Sequence, residues 1–375
     1  MKKQFFSEFK VALVHDWLIG MRGGEKCLEV ICELFPQADL YTLVYQEGEL
    51  SKIIESMNIK TSLIQKLPFG LKKYRHYLPL FPFAIEKFDF RRYDLIISSS
   101  HCVAKGIRKD DSTYHISYVH APMRYVWDQF GTYFKQSQTA WYTKLGAKLM
   151  RPYLQSWDIK TSKNVNTYLC NSYNVQKKIL NYYKRESQVI YPPVNLSYFK
   201  PGSSKENFYL IAGALAPNKR ADLAIEAFNR LKIPLKISGT GQEEKYCRSI
   251  ADKNIEFLGS ISNKQLLELY QKARALVFPG EDDFGITPLE AQACHTPVIA
   301  FEKGGALETV NKSTGIFFKE QNVESLCEAI EEMEQNFKKF SEKSFKKQIS
   351  RFGRNIFKDD IANAIEQGYL KWKEL

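Results

Sequence analysis

Short apolar runs rich in β-branched residues alternate along this chain with stretches whose apolar positions recur at helical spacing. In the first half the runs 11–15, 93–98, 114–118 and 167–170 read as strands, and 25–35 and 174–183 read as helices. The pattern begins afresh with strands at 208–212, 235–238, 255–258, 275–278 and 298–301, and helices at 221–230, 264–272 and from about Pro288 to Cys294. Strand–helix–strand alternation of this kind is the grammar of parallel sheets, so an α/β fold of two Rossmann-like domains in tandem is expected. Between the halves, Tyr191-Pro-Pro-Val194-Asn195 holds the backbone extended. The expected domains are therefore 1–195 and 196–359. The aromatic tail of 360–375 is too apolar to hang free and is expected to dock back on the first domain. Residues 338–358, rich in Lys and Phe, are expected to form a charged helix on the second.

Composition adds exclusions. With 375 residues, 44% apolar and 26% charged, the chain is an ordinary folded one. Its seven cysteines are scattered and never spaced C-x-x-C, so neither a disulfide framework nor a zinc site is suggested, and no metal is expected. No apolar run approaches a membrane span, and Glu8 and Lys10 interrupt any signal-peptide core, which gives a cytoplasmic reading. The formal net charge of +12 is unevenly placed: residues 1–195 hold 28 Lys/Arg against 17 Asp/Glu, a net of +11, and the remainder is close to neutral. Such a bias attracts anions, whether nucleic acid, lipid headgroups or phosphorylated substrates. Nucleic acid ranks last, because the basic residues are not gathered on a recognisable reading element.

Two loops stand where a parallel sheet places its ligands, after a strand and before a helix. The first, Gly20-Met-Arg-Gly-Gly24, lets backbone N–H groups approach a phosphate, or is simply a tight turn. It does not fit G-x-G-x-x-G, and no Walker A sequence occurs, which disfavours dehydrogenase and ATPase readings. The second loop runs from Phe278 to Cys294. Pro288 suits a first helical turn, so the N–H groups of Phe284, Gly285, Ile286 and Thr287 are free donors for an anion. Glu290 either serves the helix dipole or accepts the two hydroxyls of a ribose.

The segment Asp282-x7-Glu290, followed by Ala-Gln-Ala-Cys-x-Thr-Pro-Val-Ile299 and Gly304-Gly305-x-x-Glu308, closely resembles the E-x7-E region of retaining glycosyltransferases of family 4, which have the GT-B fold. Residues 11–35 resemble that family's opening strand, glycine loop and helix; Tyr118-Val-His-Ala-Pro122 resembles the segment of its active-site histidine. Gly213-Ala-Leu-Ala-Pro-Asn-Lys219-Arg220 resembles the phosphate-clamp strand and helix, and nearly the whole chain is covered in the expected order. His15-Asp-Trp-Leu and Tyr93-Asp-Leu-Ile-Ile-Ser-Ser-Ser-His101 most resemble mannosyltransferases of bacterial O-antigen and surface-polysaccharide assembly.

The resemblance implies two domains facing across a cleft, with a nucleotide-sugar donor, GDP-mannose, held by the second and an acceptor that is a glycan or lipid-linked sugar. Glu290 would bind the ribose, Lys219 and Arg220 would neutralise the pyrophosphate, and the 284–287 N–H groups would meet phosphate and sugar. Asp282, or Glu281 one place earlier, would serve the donor sugar; His120 would face that sugar as a positioning group, and Gly23 and Gly24 would cover the phosphates. In a front-side mechanism a β-phosphate oxygen takes the acceptor proton, and catalysis is positioning plus charge stabilisation without a metal. Three positions depart from the pattern: Asp282 replaces a glutamate, Ala214 replaces a clamp arginine, and His295 replaces a glycine where φ is often positive. The basic aromatic segment 65–83 suits contact with an anionic membrane on its inner, cytoplasmic face; a helix pair with solvated basic edges is the alternative. Rival functions are a UDP-sugar-dependent transferase, a nucleotide-sugar epimerase, and a catalytically silent lipid- or polyanion-binding subunit.

Overall fold

The computed structural model describes residues 9–128, 130–131, 141–202 and 204–374. The chain divides into two compact units: one holds the described residues up to Pro193 together with those from Arg354 onward, and the other is Val194–Gly353.

In the first unit the strands are β1 (Val11–His15), β2 (Asp39–Thr42), β3 (Asn58–Thr61), β4 (Leu95–Ser100), β5 (Tyr114–Val119), β6 (Thr167–Cys170) and β7 (Gln188–Val189). They pair in parallel in the order β3-β2-β1-β4-β5-β6-β7. Every residue of β1, β4 and β5 is buried, because helices cover both faces of such a sheet; this is why these strands read as continuous runs and not as alternations. In the second unit β8 (Tyr209–Ala212), β9 (Leu235–Ser238), β10 (Ile255–Gly259), β11 (Ala275–Phe278), β12 (Val298–Phe301) and β13 (Gly315–Phe318) lie in the order β10-β9-β8-β11-β12-β13, again parallel.

Each order reverses direction once, between β1 and β4 and between β8 and β11. Connections on the two sides of such a switch leave in opposite directions, so a crevice opens at the carboxyl ends of these strand pairs. The loops singled out in the sequence emerge there: 16–22 from β1, 213–220 from β8 and 279–285 from β11.

The helix Arg354–Lys373 belongs to the first unit. Arg354 reaches Glu29 at 3.0 Å and Glu33 at 2.6 Å, and Lys358 reaches Glu33 at 3.0 Å. Phe357 packs edge-on against Tyr118, while Tyr369 and Trp372 lie against Tyr114. A Cβ on Gly368 would sit 2.1 Å from the Tyr114 hydroxyl, so this close approach needs a glycine. Residues 338–358 are not one helix, contrary to the sequence reading. Helix Glu342–Ile349 stays on the second unit, a 3₁₀ turn spans Ser350–Phe352, and the next helix starts beyond Gly353. Gly353 is extended at φ −68° and ψ 146°, and the Phe352 carbonyl accepts from Val194 N at 2.8 Å instead of continuing a helix.

Candidate active site

At the carboxyl ends of β1, β4 and β5 the parallel register sets His15 beside Ser99, and Ser99 beside Tyr118 two residues before His120. The side chains complete the link. His15 Nδ1 lies 3.0 Å from Ser99 Oγ, which lies 2.8 Å from His120 Nε2, and the far nitrogen of His15 faces the Glu25 carboxylate at 3.6 Å. His101 adds a third ring, with its centroid 5.7 Å from that of His15 and 6.4 Å from that of His120. Asp16 organises the turn beneath: its two oxygens accept the N–H groups of His101, Cys102, Val103 and Ala104 at 2.6 to 2.9 Å. Burial, and then the neighbouring His101 and His15, hold His120 well below the usual histidine range, so it is a neutral hydrogen-bonding group at pH 7. Burial would raise Glu25, but its contacts with His15 outweigh this and keep it below the carboxylate norm.

Helix Gly23–Leu34 starts at Gly23, earlier than the helical pattern from Glu25 suggests, so both glycines lie in its first turn. Glu25 Oε2 accepts the N–H of Arg22 at 3.1 Å, tying that turn closed. A Cβ on Gly24 would stand 3.5 Å from the His15 ring and 3.6 Å from His120 Nε2. The glycine turn and the histidine cluster are therefore one site.

In the second unit helix Ile286–Ala293 also starts earlier than expected, with Pro288 third in its first turn and Gly285 before it at φ 98°. The opening donors are the N–H groups of Phe284, Gly285, Ile286 and Thr287, with Ile286 and Thr287 part-exposed. Glu290, one turn along, is 3% exposed and accepts from Tyr270 Oη at 3.1 Å. Lys219 makes an ion pair with Asp282 and carries its ammonium 5.8 Å from the Phe278 ring. Arg220, at φ 51°, turns its guanidinium to Asp222 and to Gln321 at 3.2 Å.

Two close approaches pin these loops together. A Cβ on Gly280 would fall 2.3 Å from the Asn218 carbonyl and 2.7 Å from Lys219 Cα, and one on Gly305 would fall 2.2 Å from Phe284 Cα. At the far end of the helix, part-buried Lys205 donates to the Cys294 carbonyl at 3.3 Å, a cation at a helix C-terminus, and desolvation lowers its pKa to about 8.

The structure thus gathers Lys219, Asp282, Phe284, Gly285, Ile286, Thr287 and Glu290 at the β8/β11 switch, with Arg220 beside them. Glu281 is exposed and Asp282 is buried, so of the two acids Asp282 is the one directed inward to Lys219. His120, Gly23 and Gly24 form the corresponding group of the first unit. Ala214 is exposed, and His295 has φ 54° with its ring stacked on Phe345 at 5.6 Å, which fills the place a glycine would leave empty. Sequence reasoning passed over His15, Ser99, His101, Glu25 and Tyr270. His15 ends β1, Ser99 is the penultimate residue of β4 and His101 follows it, but only the neighbour relation β1-β4-β5 makes them partners. Among the described residues no group of three or more His, Cys, Asp or Glu could hold a metal ion.

Two all-parallel Rossmann-like sheets with loops of this kind at their switch points define the GT-B class of fold. Residues 197–351 match the family model described as glycosyl transferases group 1. An O-antigen chain mannosyltransferase (RfbU) of Salmonella typhimurium is 34% identical over 160 residues, 39% of this chain and 44% of that protein. A GDP-mannose-dependent monoacylated alpha-(1-6)-phosphatidylinositol monomannoside mannosyltransferase of Corynebacterium glutamicum is 32% identical over 135 residues, 32% and 35% of the two chains. These alignments span less than half the length of either relative. The crystal structure of Anabaena Alr3699/HepE in complex with UDP shares the fold, with a TM-score of 0.70 over 96% of this chain and all of that one at 14% identity.

Proposed function

We propose that this protein is a retaining glycosyltransferase that moves mannose from GDP-mannose onto a glycan or lipid-linked acceptor in bacterial surface-polysaccharide synthesis. The observation that carries the reading is the group at the β8/β11 switch: the first turn of helix Ile286–Ala293 with Ile286 and Thr287 part-exposed, a buried carboxylate at Glu290 and a cation at Lys219 paired with Asp282. Such a constellation matches a nucleoside diphosphate, whose phosphates seek amide dipoles and cations and whose ribose seeks a carboxylate. Lys219 and Arg220 neutralise the pyrophosphate, Glu290 takes the ribose hydroxyls, and Asp282 a hydroxyl of the donor sugar. Because the developing charge lies on the leaving diphosphate, stabilising it is the main catalytic work, and no metal is called for. His120, neutral and braced by Ser99, orients the sugar without acting as a base. The mannosyltransferase relatives support the sugar, and the basic aromatic segment 65–83 brings the enzyme to an anionic membrane surface.

The solved relative that holds UDP keeps a second donor in play, a UDP-sugar. A screen of GDP-mannose, UDP-glucose and UDP-N-acetylglucosamine by nucleotide release in the presence of lipid-linked acceptor separates the two. Release of GDP from GDP-mannose is expected; UDP release alone overturns the donor assignment. Nucleotide binding without any sugar transfer points to the silent binding subunit. Glu290→Gln should weaken GDP binding at least about tenfold, since a charged bidentate acceptor is lost.

A further inference from the structure

Helix Trp141–Ser162 turns the wrong kind of face outward. Its inner side is conventional: Leu154 and Trp157 are buried, Trp157 donates to Glu86 at 2.7 Å, and Asp158 is held by Lys105 at 2.7 Å, Trp127 at 2.7 Å and Tyr183 at 2.8 Å. The opposite side carries Leu145 at 50% exposure, Leu149 at 70%, Tyr153 at 47% and Ile159 at 40%. At about 100° per residue these four fall within an arc of about 120°, centred opposite Leu154 and Asp158. A solvated helix face is ordinarily polar, and one that carries four exposed apolar side chains, with Ser156 and Lys160 the only polar residues among them, asks for a partner.

The charge around the stripe says which partner. Lys160 lies within the arc and Lys148 about 20° beyond its edge, both on exposed positions, whereas the helix's one acid, Asp158, is buried in its ion pair. The segment packed on this helix through Glu86 repeats the combination. Phe69 is 70% exposed and Phe83 51%, with Lys73 Nζ 5.3 Å from the first ring and Lys87 Nζ 5.0 Å from the second. Phe69 is moreover held at φ 54°, a conformation costly for an aromatic residue, at the tip of a turn that presents its ring to solvent. Apolar groups set among lysines with no exposed acid between them repel a second copy of the same face and attract a surface that is apolar within and anionic at its edge. Among the described residues no helix is long and apolar enough to cross a membrane, so the contact lies in the membrane plane.

We propose that the outward face of helix Trp141–Ser162 is a lipid-docking surface that inserts Leu145, Leu149 and Tyr153 among the acyl chains of an anionic leaflet while Lys148 and Lys160 engage its headgroups. It rests in part on the membrane reading of 65–83 and adds a second, independently mutable element.

The test is co-sedimentation of the full chain with vesicles of phosphatidylcholine alone and of phosphatidylcholine mixed with phosphatidylglycerol, at low and high salt. The wild type binds the anionic vesicles and is released by salt. The pair Leu145→Gln with Leu149→Gln lowers the partition coefficient about tenfold or more; Lys148→Gln with Lys160→Gln lowers it about fivefold per lysine. All four positions are at or near the surface, and unchanged circular dichroism verifies the fold. If Phe69→Gln with Phe83→Gln releases the protein while the helix variants bind like wild type, the helix proposal falls and the reading of 65–83 stands. Absence of binding to both vesicle types sinks both, and equal binding to neutral vesicles sinks the charge argument. If the wild type self-associates and the leucine variants are monomeric, a second copy covers the face and the proposal is overturned. Sugar transfer to a water-soluble acceptor, measured on the same variants, reads the glycosyltransferase assignment separately.

Discussion

Acid should destabilise the first unit before the carboxylates of the protein begin to titrate. Three of its histidines, His101, His115 and His120, are held below the ordinary histidine range by burial, His101 and His115 down to about 3. His115 is fully buried on β5 with Nε2 2.8 Å from Ser98 Oγ, so protonating it would place a charge inside the sheet. In the unfolded chain each of these histidines takes up a proton near pH 6.5, and in the fold it does not. The unfolded state therefore binds more protons, and stability falls as the pH falls from about 6.5 toward 3, by at most about 1.4 kcal/mol per pH unit for each group. One unit below the histidine norm, three groups remove up to about 4 kcal/mol; discounting His101, whose side chain is 25% exposed, leaves about 3 kcal/mol. Asp16 works in the opposite sense, because burial raises its pKa despite the four amides around it. Its compensation is at most one proton. A loss of about 3 kcal/mol is a large fraction of a typical domain's stability. The assay is urea unfolding followed by tryptophan fluorescence, which reports the first unit alone, since Trp17, Trp127, Trp141, Trp157 and Trp372 all lie outside Val194–Gly353. The midpoint should fall steadily between about pH 7.5 and about pH 5.5, and His115→Gln should reduce the slope by up to about a third. A midpoint that is flat or rises over that range would refute the argument.

The second unit offers a steric prediction: Gly280→Ala drives a Cβ into backbone atoms of Asn218 and Lys219, so calorimetry should show a loss of about 1–3 kcal/mol and GDP affinity should fall with it. Tyr270→Phe removes the buried hydroxyl that supports Glu290, and should cost about 1–3 kcal/mol in nucleotide binding measured by isothermal titration while leaving the sheet intact by circular dichroism. Asp158→Ala leaves Lys105 charged in the interior; a loss of about 3–5 kcal/mol in the tryptophan-detected transition is expected, and one below about 1 kcal/mol would show that the ion pair is dispensable.

The sequence by itself determined the class of this fold and pointed to one of its candidate sites. Parallel strands buried on both faces read as unbroken apolar runs, and their alternation with helical periods leaves few architectures open. The group around helix Ile286–Ala293 was legible because Asp282 through Glu290 lie within one loop and helix, where sequence spacing is also spatial spacing. Strand order is not a local property, and there tertiary structure decided. His15, Ser99 and His120 are separated by 84 and 21 residues and become neighbours only because β4 lies between β1 and β5. Tyr270 meets Glu290 across 20 residues for the same kind of reason, the packing of one helix on another. The outward face of helix Trp141–Ser162 is the converse case: the amphipathic pattern was there to read, but which side of a helix meets the core depends on what packs against it. Buried Asp158, held by Lys105, fixed its own side inward and left Leu145 and Leu149 outside.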